Sequence, residues 1–200
     1  MSRPGTFERV YAAIRNQLRE GRFRPGDRLE PAALSDELNA SVTPVRDALH
    51  RLTGERLVEA PRHEGFRAPL LTESMLRHLY SWHLDLLLLA IARRPRSQGP
   101  ADAGPATQDP PCRTMNALFL KLAEQSGNPE HIAAMTALTD RLEPVHRLED
   151  ALLDAIEAET EAILEAVRSN DRTALRRSLT GYHRRRQRIV PELLERLRTG

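Results

Sequence analysis

Residues 25–68 run PGDRLEPAALSDELNASVTPVRDALHRLTGERLVEAPRHEGFRA, and the punctuation of this stretch decides the fold of the first third of the chain. Pro25-Gly26 makes a turn with no helical period around it. Pro31 stands where a helix needs no amide donor, and Leu34 and Leu38 share one face of a short helix over 31–38. The pattern breaks at Asn39-Ala40. Thr43 then offers a cap with Pro44 at the first helical position, and Val45, Leu49 and Leu52 face inward along a helix to about Glu55. Helix, tight turn, helix is the unit that places its second member in the major groove of DNA. Leu57–Ala60 and Phe66–Ala68 flank Pro61-Arg62-His63-Glu64-Gly65, a two-stranded ribbon around a basic, glycine-containing turn.

Working outward, Thr6 is a plausible N-cap for a first helix in which Val10, Ile14 and Leu18 recur at helical spacing before Gly21 stops it. Beyond Leu71 the pattern becomes helical throughout. The spacing predicts helices over 74–94, 115–125, 130–143, 145–169 and 171–198, the last kinked at Pro191. Residues 95–111, PRSQGPADAGPATQDPP, lack any apolar period and read as an extended or mobile connector. The expected architecture is mainly α: a winged helix-turn-helix over 1–70, then an all-helical bundle over 71–200.

Composition agrees with helices. The chain has 200 residues, 40% hydrophobic but only 4% aromatic, so its cores must be built from Leu, Ala, Val and Ile. The formal net charge is +2, and the excess lies in the first seventy residues, which hold twelve Arg against ten acids. One cysteine, Cys112, excludes an internal disulfide and a cysteine-built zinc site and suits a reducing compartment. The longest apolar run, Leu86–Ala92, is far short of the ~20 residues that a membrane span needs. A soluble, cytoplasmic protein is expected, with no membrane partner.

The residues that carry chemistry lie at the start of the third helix. Ser41-Val42-Thr43-Pro44-Val45-Arg46 brings hydroxyls, backbone amides and a guanidinium to one end. A helix N-terminus favours a phosphate, and Arg46, one turn in, reaches a guanine edge or another phosphate. Residues 6–70 resemble the winged helix-turn-helix of the GntR family of transcription regulators. That family has a Pro-Gly-x-x-Leu start, a Leu-rich second helix and a Ser-Arg-Thr-Pro-Val-Arg-Glu-Ala-Leu recognition segment. The resemblance implies that Ser41, Thr43 and Arg46 contact double-stranded DNA, and that Arg62, His63 and Gly65 of the wing approach the minor groove. It departs at Val42, where the family usually has an Arg that reads guanine. Losing such a bidentate contact forfeits about 1–3 kcal/mol of discrimination at that base pair.

The rest of the chain resembles the helical FCD effector domain of the FadR subfamily, through Leu118–Asn128 and the stretch Ile163–Asp171. In that domain an Asp and three His commonly hold a divalent metal that anchors a carboxylate effector. Aligned on Ser126-Gly127-Asn128 and Asp171, those positions fall on Met115, Phe119, Thr160 and Tyr182. None is a usual metal ligand. No metal and no cofactor is expected; an apolar pocket for a neutral or aromatic effector stands beside the alternative that these side chains simply fill the core.

Trp82 and His83, with Tyr80 and His78 near them, read as packing a core or a dimer face more readily than a ligand site. The run His183–Arg188 reads as a solvated face or as partners for the acids between Glu143 and Glu165. No nucleophile at a turn, glycine phosphate loop or carboxylate pair supports catalysis. The expectation is a non-enzymatic homodimeric regulator, more often a repressor, on a palindromic operator. Its rival is an interaction protein with a degenerate DNA-reading segment that acts through a protein partner.

Overall fold

The computed structural model describes residues 5–93 and 110–199. The chain divides into two compact units, residues 1–71 with 196–200, and residues 72–195.

In the first unit three helices, α1 (Thr6–Arg19), α2 (Pro31–Glu37) and α3 (Val42–Gly54), enclose a single core. Val10, Ile14 and Leu18 of α1 meet Leu34 of α2 and Val45, Ala48, Leu49 and Leu52 of α3, with Leu29, Leu57, Val58 and Phe66 closing the bottom. Each buried side chain of this size contributes about 1.5–3 kcal/mol, so the apolar period fixes which face of each helix turns inward. Two caps differ from expectation. Gly5 precedes α1 and Thr6 lies inside it; Ser41 precedes α3, so that Thr43 and Pro44 lie within the first turn. Pro44 fits there because an amide in the first turn has no partner to lose.

The wing is more irregular than a ribbon of two strands. Glu59 and Arg67 exchange backbone hydrogen bonds at 2.9 Å each way, Arg28 pairs with Arg67 as a second isolated antiparallel bridge, and the Leu29 amide donates to the Phe66 carbonyl at 2.8 Å. Three short segments therefore close the sheet. Its turn has His63 and Gly65 in the left-handed region, at φ 64° and 78°, and only the glycine adopts this without steric cost.

The second unit is helical: α4 (Glu73–Arg93), α5 (Pro111–Glu124), α6 (Pro129–Glu149), α7 (Ile156–Arg168), α8 (Arg172–Arg188) and the start of α9 (Val190–Thr199), whose residues to Glu195 fall in this unit. Helix α4 packs on α8, α6 and α5, while α7 packs on α8 and α5. The expected helices over 130–143 and 145–169 are divided differently. Helix α6 runs through Pro144 to Glu149, and the chain leaves helical conformation before Ile156, with Ala155 left-handed at φ 52°. Burial of Leu138, Leu142 and Val145 holds α6 together across the proline. Pro191 begins α9 rather than kinking a longer helix. Nearly all of the expected connector, residues 95–111, lies outside the described residues; Pro111 already opens α5.

Candidate functional site

Three interactions position α3. The Arg9 guanidinium of α1 donates to the carbonyls of Leu38 at 2.8 Å and Asn39 at 3.3 Å, satisfying the end of α2 and holding the turn in which Asn39 is left-handed at φ 47°. At the other end of α3, Tyr11 donates its hydroxyl to Glu55 at 2.8 Å. Arg51 lies 4.2 Å over the Tyr11 ring and donates to Glu55 at 3.2 Å. Burial and the Glu55 carboxylate both raise the Tyr11 hydroxyl's pKa. His50 packs edge-on against Phe66 at 4.9 Å, tying the wing to the same helix.

So held, α3 turns Ser41, Val42, Thr43, Arg46, Asp47 and His50 to solvent. The Ser41 side chain makes no cap bond, and the Val42 and Thr43 amides lie in the first turn, where α-helical geometry supplies no acceptor. Arg62, His63, Glu64 and Gly65 are exposed on the wing turn. The charges differ in their commitments. Arg22 pairs with Glu37, Arg51 with Glu55, and Arg67 with Glu59 and Glu64. Among the described residues Arg46 and Arg62 have no ion pair and no side-chain hydrogen bond. Such guanidiniums are ready for phosphate or guanine without first breaking an internal pair. The structural work of Arg9, Tyr11 and Glu55 escaped sequence reasoning: their partners lie 29 to 44 residues away.

In the second unit, Met115, Phe119 and Tyr182 are fully buried, and Phe119 meets Tyr182 edge-on at 5.4 Å. Thr160 is buried with its hydroxyl unpartnered. Beside them lies a polar network of which the sequence announced only the pairing of the basic run with acids. The Leu179 carbonyl accepts from His183 Nδ1 at 2.7 Å, leaving His183 Nε2 to accept from His83 Nδ1 at 2.9 Å. Asn116 donates to Glu143 at 2.9 Å and so turns its oxygen to His146 Nδ1 at 2.9 Å. Both His83 and His146 therefore carry their proton on Nδ1, and their Nε2 lone pairs are buried without a hydrogen-bond partner, that of His146 lying 3.8 Å from Glu149. Burial, reinforced by Arg186, lowers the pKa of His146 to about 3 and that of His183 to about 3; burial and the neighbouring imidazoles also push His83 well down. Glu149 accepts from Tyr80 at 2.6 Å and from Arg186 at 2.6 Å, while Arg186 also reaches Glu159 at 2.7 Å and lies on the Tyr182 ring. The basic run thus contributes Arg186 to the core and pairs Arg185 with Glu159 at the edge. Among the described residues no group of three or more His, Cys, Asp or Glu is arranged to hold a metal ion, and no helix is long and apolar enough to cross a membrane.

Comparison with known proteins bears on the two units differently. Residues 6–67 match the sequence model of the family described as bacterial regulatory proteins, gntR family. The chain is 31% identical over 87 residues to the HTH-type transcriptional repressor GlaR of Escherichia coli strain K12, a stretch covering 42% of this chain and 40% of GlaR. It is 29% identical over 136 residues to the HTH-type transcriptional regulator McbR of the same organism, covering 67% of this chain and 57% of McbR. The aligned stretches thus span about half the length of these relatives. The structure of E. coli McbR/YncC aligns with 95% of this chain and 99% of its own at a TM-score of 0.70 and 22% identity. A structure from Rhodococcus sp. RHA1, described as a GntR transcriptional regulator, aligns with 93% of this chain and 97% of its own at 0.77 and 19%. Those two likenesses show the fold: a winged helix-turn-helix followed by a helical domain. In its matched sequence and in the assembled α2–turn–α3 and wing, the N-terminal unit is similar to the gntR family of bacterial regulatory proteins.

Proposed function

We propose that this chain is a sequence-specific DNA-binding transcription regulator that acts as a homodimer on a palindromic operator. The observation that carries this reading is where two exposed guanidiniums without an ion pair stand, Arg46 in the second turn of α3 and Arg62 on the wing turn, while Arg22, Arg51 and Arg67 of the same unit are paired with acids. Ser41, Thr43 and Arg46 face the major groove, and Arg62, His63 and Gly65 the minor groove. One helix reads too few base pairs for genomic selectivity, so two-fold symmetry pairs it with a second copy one helical turn away. Repression is the sign we infer, in keeping with the name of GlaR. We read the helical unit as FCD-like, a member of the FadR subfamily that has lost the metal ligands. An effector, where one binds, enters at Met115, Phe119, Thr160 and Tyr182, a site favoured by the orphaned Thr160 hydroxyl and the bare His83 Nε2.

The test is binding to the chain's own upstream intergenic DNA against scrambled duplex at two salt concentrations. Selective binding whose affinity falls steeply with salt supports regulation, because each neutralised phosphate releases a counterion. Equal weak binding to both duplexes would refute it.

A further inference from the structure

Large apolar side chains are exposed at few places among the described residues, and three of them lie on one helix at a spacing of seven. Met75 is 40% exposed, Trp82 51% and Leu89 41%, all on α4. Seven residues are close to two helical turns, so the three form a stripe along one side of α4. His78 and Asp85 fill the intervening positions on that side, and both are exposed. The opposite side, with Leu76, Leu79, Tyr80, His83, Leu86, Leu87, Ala90 and Ile91, is buried within the bundle. Helix α4 therefore has a second seam that the described residues do not cover.

The seam is complementary to itself in only one sense of pairing. In an antiparallel crossing with the two-fold axis at Trp82, Met75 faces Leu89 of the other copy, Trp82 faces its equivalent, and His78 comes within one residue of Asp85. In a parallel crossing every residue faces itself, and two Asp85 carboxylates are forced together, a destabilising arrangement. We propose that α4 is an isologous interface on which a second copy of this chain docks antiparallel through Met75, His78, Trp82, Asp85 and Leu89. The inference rests on the homodimer reading above and assigns it a surface.

The decisive experiment uses the full chain carrying either Met75→Cys or Leu89→Cys, each leaving Trp82 intact. The native Cys112 is buried, and burial pushes its thiol up to about 11, so it does not compete. Under mild oxidation the mixture of the two variants forms a disulfide-linked dimer, while each variant alone stays at least several-fold less cross-linked. A second arm measures mass by light scattering for the wild type and for Trp82→Glu: a dimer is expected for the first and a monomer for the second. A wild-type dimer that persists in Trp82→Glu and shows no cross-link in the mixture overturns the seam while leaving the homodimer reading standing. A wild type that is monomeric at micromolar concentration overturns both. Cross-linking by each variant alone overturns the antiparallel sense.

Discussion

Acidification should destabilise this protein in a way that its buried histidines set. His83, His146 and His183 are held neutral in the fold, with pKa values pushed far below the ordinary imidazole value, for two of them to about 3. In the unfolded chain each takes up a proton near pH 6.5. The folded values are the lower ones, so the unfolded state binds more protons below pH 6.5, and stability present above that pH is lost as pH falls toward the folded values. Each group costs about 1.4 kcal/mol per pH unit below 6.5, so between about pH 7.5 and pH 5.5 the three together remove roughly 4 kcal/mol. That is a large share of the ~5–15 kcal/mol that holds a domain folded. Glu149 acts in the opposite sense, because burial raises its pKa. Urea unfolding across this pH window, followed by circular dichroism, measures the slope. His183→Gln should lower it from about three protons to about two, whereas changing the exposed His78 to Ala should leave it alone. A stability that is flat between pH 7.5 and 5.5, or an unchanged slope in His183→Gln, would show that these imidazoles are not neutral and buried as described.

Three further outcomes follow from particular contacts. Arg186→Met strands the Glu149 carboxylate in the core and should cost about 3–5 kcal/mol in urea unfolding, most of it recovered by adding Glu149→Gln, since removing both charges also removes the uncompensated one. Val42, 38% exposed in the first turn of α3, carries only methyl groups; on the proposed DNA-reading role of α3, Val42→Arg should favour guanine at one position of each half-site by about 1–3 kcal/mol, read by selection from randomised duplexes. Gly65→Val puts a β-branched side chain at φ 78° and should cost about 1–2 kcal/mol of stability, seen as a lowered melting temperature.

Much of the N-terminal unit was legible because its signals are local. Pro31, the Asn39-Ala40 break and the apolar period of Val45, Leu49 and Leu52 each act within a few residues, and the structure places those elements accordingly. Where the reading slipped, two local signals competed: Thr43-Pro44 looks like a cap and first position, but Ser41 takes the cap position and the proline is accommodated within the first turn. Pro144 reads as a stop, yet α6 passes through it because burial of Leu138 and Leu142 before it and Val145 after it outweighs one lost hydrogen bond. The polar network of the helical unit was legible only in part: the basic run was read as a possible partner for the acids between Glu143 and Glu165, and Arg185 and Arg186 pair with Glu149 and Glu159, but its imidazole and tyrosine contacts were not. His83 meets His183 at a separation of 100 residues and Tyr80 meets Glu149 at 69, and no periodicity encodes which distant groups a fold will bring together. His183, read within a basic run on a solvated or ion-paired face, is buried beside Tyr182 and Phe119, and Trp82, read as packing a core or a dimer face, is 51% exposed.

The central claim, that the uncommitted arginines of α3 and the wing grip DNA, is tested most directly by measuring salt-dependent affinity for the upstream duplex in Arg46→Ala, Arg62→Ala and Arg22→Ala. The first two should each weaken binding by about 1–3 kcal/mol per site, with a flatter salt dependence wherever a phosphate contact is lost. Arg22→Ala, which removes only an arginine already paired with Glu37, should leave both unchanged. Equal losses in all three, or none in Arg46→Ala and Arg62→Ala, would contradict the account and point to a protein partner instead of DNA.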